Sequence, residues 1–208
     1  MTKIKICGLM RAEDIEAVNI AKPDYIGFVF AKGRKRTVTH ETAKKLKSML
    51  NPQIKAVGVF LDNDADEVLS LADSGIIDII QLHGKEDSEY IRYIRSHTDK
   101  PIIKAVSVRD EEDVLSADKL GVDYLLLDTY KKNMIGGTGE VFDWNIIPKI
   151  NKPFFLAGGI NNDNIRYALK CGAYCIDISS GAETDGKKDK DKIINLVNTV
   201  RSEENVKG

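Results

Sequence analysis

The chain has 208 residues, which is enough for one large domain or two small ones. Its 31 basic and 32 acidic residues give a formal net charge of −1, which excludes general coating of DNA or of a membrane surface, because that needs a strong global charge. Hydrophobic residues make up 42% and charged residues 30%, which are values of a globular protein rather than of a disordered or membrane protein.

The first residues and the cysteines indicate the compartment. Residues 1–7 carry no long apolar segment of the secretory type, and no window approaches the ~20 apolar residues of a spanning helix. Cys7, Cys171 and Cys175 are too few and too widely spaced for a disulfide framework or a zinc knuckle. We therefore expect a reduced, cytoplasmic protein with no membrane or nucleic-acid partner.

Short apolar runs rich in β-branched and aromatic residues recur along the chain. Their starts are roughly 20 to 31 residues apart, close to the ~30-residue size of a strand-helix-strand unit. Each interval has room for one helix and two short loops. The predicted strands are residues 3–7, 25–30, 55–60, 78–82, 102–106, 123–128, 154–157 and 174–178.

Amphipathic helices are predicted between the strands. One example has apolar residues at the i, i+3, i+4, i+7 spacing, namely Ala65, Val68, Leu69 and Ala72, after possible caps at Asp62 and Asp64. Near-continuous apolar strands alternating with such helices indicate a parallel sheet covered by helices. Eight units predict a single-domain (β/α)8 TIM barrel over residues 1–208. The alternative is an open doubly wound sheet, which usually places a glycine-rich turn after its first strand.

Glycines follow the last two predicted strands. In a barrel the active site lies at the C-terminal ends of the strands, and the loops after strands seven and eight commonly bind phosphate. Gly158 and Gly159 follow the seventh strand, and Ser180 and Gly181 follow the eighth. Because glycine lets backbone N–H groups approach an anion closely, these four residues predict a phosphate site. Gly158-Gly159 alone is also consistent with a simple strand-to-helix turn.

An acid and a thiol are predicted at the same mouth of the barrel. Strand alternation turns Lys5 and Cys7 inward, and it places Asp128 at the end of the sixth strand. A buried Lys5 needs a partner, for which Asp177 on the adjoining eighth strand is the candidate. Cys7 facing Asp128 is the arrangement that proton transfer needs. Taken singly, Cys7 is also typical of an inert buried thiol and Asp128 of a loop anchor.

The basic run 32–36, which includes Arg36, follows the second strand. Such a run is typical of a solvated surface, a small-anion site or a nucleic-acid patch, and its position favours the small anion. The basic segment 186–192 is interpreted as the solvated start of the last helix. His83 is predicted to hydrogen-bond Gln81. No metal site is expected, because His40 and His97 fall in or beside helices away from the mouth.

Several short motifs occur together in a fixed order. They are KICG at residues 5–8, GFVF at 27–30, VGVF at 57–60, QLHG at 81–84, LD at 127–128, GGTG at 136–139, FDW at 142–144, LAGGI at 156–160 and DISSGAE at 177–183. The ordered set covers essentially the whole chain and closely resembles the phosphoribosylanthranilate isomerase family, (β/α)8 enzymes of tryptophan biosynthesis. One departure is Arg34-Lys35 before Arg36, where the family usually has Ser-Pro.

The resemblance implies a role for each candidate residue. Cys7 is the general base and Asp128 the general acid of an Amadori rearrangement, and Arg36 holds the anthranilate carboxylate. Gln81, His83 and Gly137 are further substrate-binding candidates. The loops at Gly158-Gly159 and Ser180-Gly181 bind phosphate. The substrate is a small phosphorylated molecule, no cofactor is implied, and the chain is expected as a monomer or homodimer.

The same resemblance implies a protonation state for the pair. Asp128 must begin protonated and Cys7 substantially as thiolate, with Lys5 favouring the thiolate. Other phosphate-binding barrels remain alternatives, either a sugar-phosphate isomerase or epimerase or an FMN-binding oxidoreductase. A noncatalytic ligand-binding barrel is the third alternative, against which the Cys7/Asp128 pair weighs.

Overall fold

The computed structural model describes residues 1–129 and 144–205, and within them eight parallel strands close into a barrel in chain order. The strands are β1 (Lys3–Cys7), β2 (Tyr25–Val29), β3 (Lys55–Phe60), β4 (Ile79–Leu82), β5 (Ile102–Val108), β6 (Tyr124–Thr129), β7 (Phe154–Leu156) and β8 (Cys175–Ile178). β8 pairs with β1, with Lys5 opposite Asp177. The predicted (β/α)8 barrel is confirmed, and the open sheet is excluded.

Helices cover the outside of the barrel. They are α1 (Ala12–Ala21), α2 (His40–Met49), α3 (Ala65–Asp73), α4 (Ser88–His97), α5 (Glu111–Ala117), α6 (Ile165–Ala168) and α7 (Lys190–Asn205). Between β6 and β7, the described residues contribute the 3-10 turn Trp144–Ile146. α6 is short because the chain tightens into the 3-10 turn Leu169–Cys171 and then ends at Gly172, whose φ is +71°. No helix within the described ranges is long and apolar enough to cross a membrane.

The predicted helix after β3 is confirmed as α3, but its start differs in detail. Asp64 occupies the N-cap position, yet its side chain makes no capping hydrogen bond. The Asp62 carboxylate instead accepts a hydrogen bond from the backbone N–H of Lys85, in the loop after β4. Asp62 therefore joins two loops of the barrel rather than capping the helix.

Pairing partners set the strand ends. β5 runs two residues beyond its predicted end because Ser107 and Val108 pair with Asp128 and Thr129 of β6. β7 ends one residue early, at Leu156. These ends depend on neighbouring strands and are invisible to a local pattern.

The barrel interior is apolar at the end where the strands begin. Tyr25 and Phe155 pack there at a ring-centroid distance of 5.6 Å, and Tyr124 meets Phe155 at the same distance. The Tyr25 and Tyr174 hydroxyls lie 2.8 Å apart. Polar side chains of β1, β4, β6 and β8 occupy the opposite end. Groups that can react with a substrate therefore lie at the C-terminal ends of the strands.

The segment before α7 corrects one prediction. The short strands β9 (Glu183–Thr184) and β10 (Lys187–Lys188) form an antiparallel hairpin in place of a wholly solvated run. Lys187 is exposed, but Lys188 is only 8% exposed. The Lys188 side chain is turned in because it meets Glu183 and the Ser179 carbonyl oxygen at the barrel mouth.

Candidate active site

A cavity of about 570 Å³ opens at the C-terminal ends of the strands. Most of the residues predicted from the sequence line it, namely Cys7, Arg36, Gln81, His83, Asp128, Gly158, Gly159 and Ser180. Gly181 follows Ser180 in the 3-10 turn Ser180–Ala182. Gly137 lies outside the described residues. Side chains far apart in sequence thus share one concave surface.

Cys7 is the last residue of β1 and is 8% exposed. Gly27 on β2 makes room for it, since a Cβ at position 27 would lie 2.7 Å from the Cys7 Sγ. Burial disfavours the thiolate and raises the pKa of Cys7 above its usual value, although Lys5 and Lys188 favour the thiolate. The direction of this shift runs against the ionised form expected for Cys7, because burial and the charge of Asp177 outweigh the nearby cations.

Lys5 lies beneath Cys7 and is fully buried. Its Nζ donates to Asp177 Oδ2 and to Gln81 Oε1, at 2.9 Å each. This confirms the predicted Lys5–Asp177 pair. Burial disfavours the ammonium, but the charge of Asp177 and hydrogen bonds to Asp177 and Cys7 outweigh it and raise the pKa of Lys5. Lys5 therefore carries its charge at the floor of the cavity.

A chain of polar contacts runs from Lys5 across the barrel to Asp128. Gln81 Oε1 accepts from Lys5, so the Gln81 Nε2 group donates to His83 Nδ1, 2.9 Å away, and confirms the predicted pair. The remaining proton of a neutral His83 then lies on Nε2, which is 3.6 Å from Asp128 Oδ2. The orientation of the Gln81 amide thus determines that His83 directs its Nε2–H towards Asp128.

Asp128 lies near the end of β6, close to the loop after β7. Its Oδ1 accepts a hydrogen bond of 2.8 Å from the Thr129 backbone N–H. Gly158 has a φ of +92°, and a Cβ there would lie 2.9 Å from Asp128 Oδ1. Glycine is required at position 158 both by its conformation and by this close approach.

The loops after β7 and β8 pack against each other. Gly159 has a φ of +68°, and a Cβ at Gly181 would lie 2.9 Å from the Asn161 Cα. Only a residue without a side chain permits that contact. The pair of loops presents backbone at the cavity wall, which suits an anion such as phosphate.

Arg36 makes a contact that the sequence did not predict. Its Nε and Nη2 donate to the two carboxylate oxygens of Glu183, at 2.7 Å each, across 147 residues of chain. Lys188 Nζ lies 2.6 Å from Glu183 Oε1. Burial opposes ionisation of Glu183, but hydrogen bonds from Arg36 and Lys188 lower its pKa to about 2. Glu183 and Lys188 fall inside the quoted motif region or just after it, yet no local signal links them to Arg36.

The arrangement offers a buried thiol, a carboxyl group, a backbone anion site and a guanidinium on one cavity. These groups can move protons within a phosphorylated, carboxylated substrate. Within residues 1–129 and 144–205, no group of three or more His, Cys, Asp or Glu side chains is placed to hold a metal ion.

Comparison with known proteins identifies the family of this chain. The family model for N-(5′-phosphoribosyl)anthranilate isomerase matches residues 4–199. A relative from Endomicrobium trichonymphae with that name is 48% identical over 203 residues, covering 97% of this chain and all of the relative. The structures below are similar in fold across nearly the whole chain.

One is a phosphoribosylanthranilate isomerase in complex with reduced 1-(o-carboxyphenylamino)-1-deoxyribulose 5-phosphate. It has a TM-score of 0.80 and 30% identity, and the match covers 97% of this chain and 100% of that one. Another contains monomers of a dimeric phosphoribosylanthranilate isomerase from Thermotoga maritima. It has a TM-score of 0.81 and 31% identity, with the same coverage.

Proposed function

The chain belongs to the N-(5′-phosphoribosyl)anthranilate isomerase family, and from this premise we propose that Cys7 and Asp128 are its general base and general acid. The enzyme is an aldose-ketose isomerase of tryptophan biosynthesis. The observation that supports the two roles is that Cys7 and Asp128 line the same cavity as Arg36 and the glycine loops.

Ring opening is the first step of the proposed mechanism. Protonated Asp128 gives its proton to the furanose ring oxygen of N-(5-phosphoribosyl)anthranilate. The bond from that oxygen to C1′ breaks while the anthranilate nitrogen supplies electrons, and a protonated Schiff base forms. Asp128 ends this step as a carboxylate, next to the Nε2 side of His83.

Proton removal from C2′ is the second step. The Cys7 thiolate takes this proton, and the electrons move into the C1′–C2′ bond to give an enolamine. The enolamine then tautomerises: C1′ gains a proton while the C2′ hydroxyl loses one, which gives the 1-deoxyribulose 5-phosphate ketone with no net change in protons. Lys5 and Lys188 assist because their charges stabilise the thiolate that the buried site otherwise disfavours.

Substrate binding divides between the two ends of the cavity. We assign the phosphate to the loops at Gly158-Gly159 and Ser180-Gly181, and the anthranilate carboxylate to Arg36. Support comes from the relative whose bound compound carries both a carboxyphenyl group and a 5-phosphate. Gln81 and His83 line the same cavity, and we assign them, together with Gly137, to substrate binding.

The proposal extends to the organisation of the enzyme. It is one catalytic domain over residues 1–208 that acts in the cytoplasm without a cofactor. A monomer or a homodimer is compatible with the site, because the cavity lies at the end of one barrel. The dimeric Thermotoga maritima relative supports the homodimer.

The test is the loss of anthranilate-type fluorescence when the purified protein receives N-(5-phosphoribosyl)anthranilate. Cys7→Ala and Asp128→Asn should each lower kcat by at least about 100-fold, the lower end for a general acid or base. Cys171→Ala, at a half-exposed thiol, and Asp73→Asn, at an exposed carboxylate, are matched controls that should retain full turnover. Near-normal kcat in either test variant would remove the role assigned to that residue.

A further inference from the structure

The β9–β10 hairpin places a buried pair of opposite charges against Arg36. The Glu183 side chain is 8% exposed and the Lys188 side chain is 2% exposed, whereas that of Arg36 is 32% exposed on the cavity. Arg36 alone of the three therefore remains open to a ligand. Glu183 has no part in the proton transfers derived above, whereas Lys188 also favours the Cys7 thiolate.

The contact with Glu183 fixes the plane of the Arg36 guanidinium. Both carboxylate oxygens accept from it, at 2.7 Å, in a bidentate geometry that restricts rotation as well as position. Only two of the five N–H groups of an arginine are used in this way. The aliphatic part of the Arg36 side chain is closely packed as well. Gly8 has a φ of +86°, and a Cβ there would overlap Arg36 Cδ.

The charge of Glu183 by itself would oppose recognition of a carboxylate. A paired Arg36 and Glu183 sum to zero, so the pair would give little net attraction to an anion. Lys188 restores one positive charge to the trio at 2.6 Å from Glu183. Its Nζ also donates to the Ser179 carbonyl oxygen at 2.9 Å, and Arg11 donates to the Lys188 carbonyl oxygen at 3.0 Å. Lys188 is thus anchored to the residue after β8 and to the residue before α1.

We propose that Glu183 and Lys188 are positioning residues for the substrate carboxylate. Glu183 holds Arg36 in the orientation that binds the carboxylate, and Lys188 offsets the charge of Glu183 so that the site stays cationic. This inference rests on the proposed role of Arg36. It adds a determinant of specificity for the aryl end of the substrate.

Binding of two compounds distinguishes a role in carboxylate recognition from a merely structural role. The first is reduced 1-(2-carboxyphenylamino)-1-deoxyribulose 5-phosphate, and the second is the same compound without the carboxyl group. The dissociation constants of both are measured by calorimetry for wild-type protein and each variant. Their ratio isolates the contribution of the carboxylate, because the phosphate and sugar contacts are common to both compounds.

Glu183→Gln is the principal variant because it keeps the shape and removes the charge. We expect it to raise the dissociation constant of the carboxylated compound about tenfold or more, the effect of losing a charge-assisted hydrogen bond. The dissociation constant of the other compound should change less than about twofold. Simple electrostatics predicts the opposite sign, since the variant adds positive charge to the site. Lys188→Met, the second variant, should also lower the ratio, whereas Lys187→Met, at its exposed neighbour, should leave it unchanged.

Equal weakening of both compounds, or unchanged or tighter binding of the carboxylated one by Glu183→Gln, would overturn the inference. Thermal unfolding of each variant identifies one that fails to fold, and the other variant then decides. Turnover by wild-type protein is measured beside these titrations. A wild-type protein that does not isomerise the substrate contradicts the proposed function, whereas an active wild-type with an unchanged ratio contradicts only this inference.

Discussion

Cys7 is subject to opposing effects at the scale of a single residue. Burial raises its pKa, while Lys5 and Lys188 favour the charged form that a general base needs. The two lysines therefore offset only part of the effect of burial on the pKa of this thiol. The closed barrel makes ionisation of this thiol unfavourable, because Cys7 at the end of β1 lies among packed side chains.

The pH dependence of Asp128→Asn follows from this pKa. With an asparagine at position 128, Cys7 is the only titrating member of the acid-base pair, so the residual kcat/KM follows the thiolate. It should rise about tenfold per pH unit below the pKa of the thiol and level off above it, beyond the usual thiol value of ~8.5. The measurement is residual kcat/KM from about pH 6 to 10.

The control for this profile is the double variant Cys7→Ala/Asp128→Asn, which should not show the rise. A plateau that the single variant already reaches near pH 7 would show that Cys7 is ionised there. That result would contradict the dominance of burial over the two lysines.

The anion-binding role of Arg36 is predictable from the sequence, but its contact with Glu183 is not. Its place after β2 and the family motif point to a ligand anion, and the structure brings it to the cavity. The carboxylate that orients it lies 147 residues away, on a hairpin whose second strand falls in the segment 186–192 that the sequence indicated as solvated. Burial of Lys188 arises from contacts between distant parts of the chain, so no periodicity within the segment signals it.

At the scale of elements, the loops after β7 and β8 connect the anion site to the acid. A Cβ at Gly158 would overlap Thr129 and Asp128 of β6, and a Cβ at Gly181 would overlap the backbone after β7, so these loops approach each other and β6 closely. Strand order alone predicts that these loops are neighbours. Their actual contact depends on the left-handed conformations of Gly158 and Gly159, which allow the backbone to turn towards β6.

A pair of glycine variants tests this connection. Gly158→Ala should lower kcat by about ten- to a hundredfold, because the added Cβ would overlap Thr129 and Asp128 Oδ1 and so displace Asp128 from its working position. Gly172→Ala is the matched control: its φ is +71°, close to that of other left-handed residues, but nothing lies within 4 Å of a Cβ there. It should lose about 1–2 kcal/mol of stability from strain and keep its turnover.

Turnover and urea unfolding of both variants are the measurements. Equal activity of the two proteins would show that the contact between Gly158 and Asp128 has no catalytic consequence. A large loss of activity in Gly172→Ala would point to a general effect of backbone strain.

At the scale of the whole molecule, closure of the barrel buries charge. β1 and β8 meet with Lys5 opposite Asp177, and both side chains turn inward among apolar residues. Asp177 Oδ1 is buried without a hydrogen-bond partner among the described residues, so the pair is not fully satisfied. A buried ion pair of this kind is costly to break but is not by itself strongly stabilising.

A double-variant cycle measures this balance. Lys5→Met and Asp177→Leu should each reduce the free energy of unfolding by about 3–5 kcal/mol, because each leaves one buried charge without its partner. The double variant should lose less than either single variant, since it removes both charges. Glu203→Gln, which disrupts the exposed pair with Arg166, should change stability by less than about 1 kcal/mol.

Urea unfolding at pH 7 provides all four values. Additive losses in the double variant would mean that the two side chains do not interact energetically. The ion pair would then be incidental to closure of the barrel.

The closed barrel, the order of its strands and the inward direction of Lys5 and Cys7 follow from the sequence alone, because hydrophobic periodicity and alternation are local properties. The ordered motifs also identify the family. The tertiary structure alone decides the strand ends, the raised pKa of Cys7 and the trio formed by Arg36, Glu183 and Lys188. Those features depend on which distant groups meet in a desolvated space, and the free energy of such contacts is absent from any local pattern.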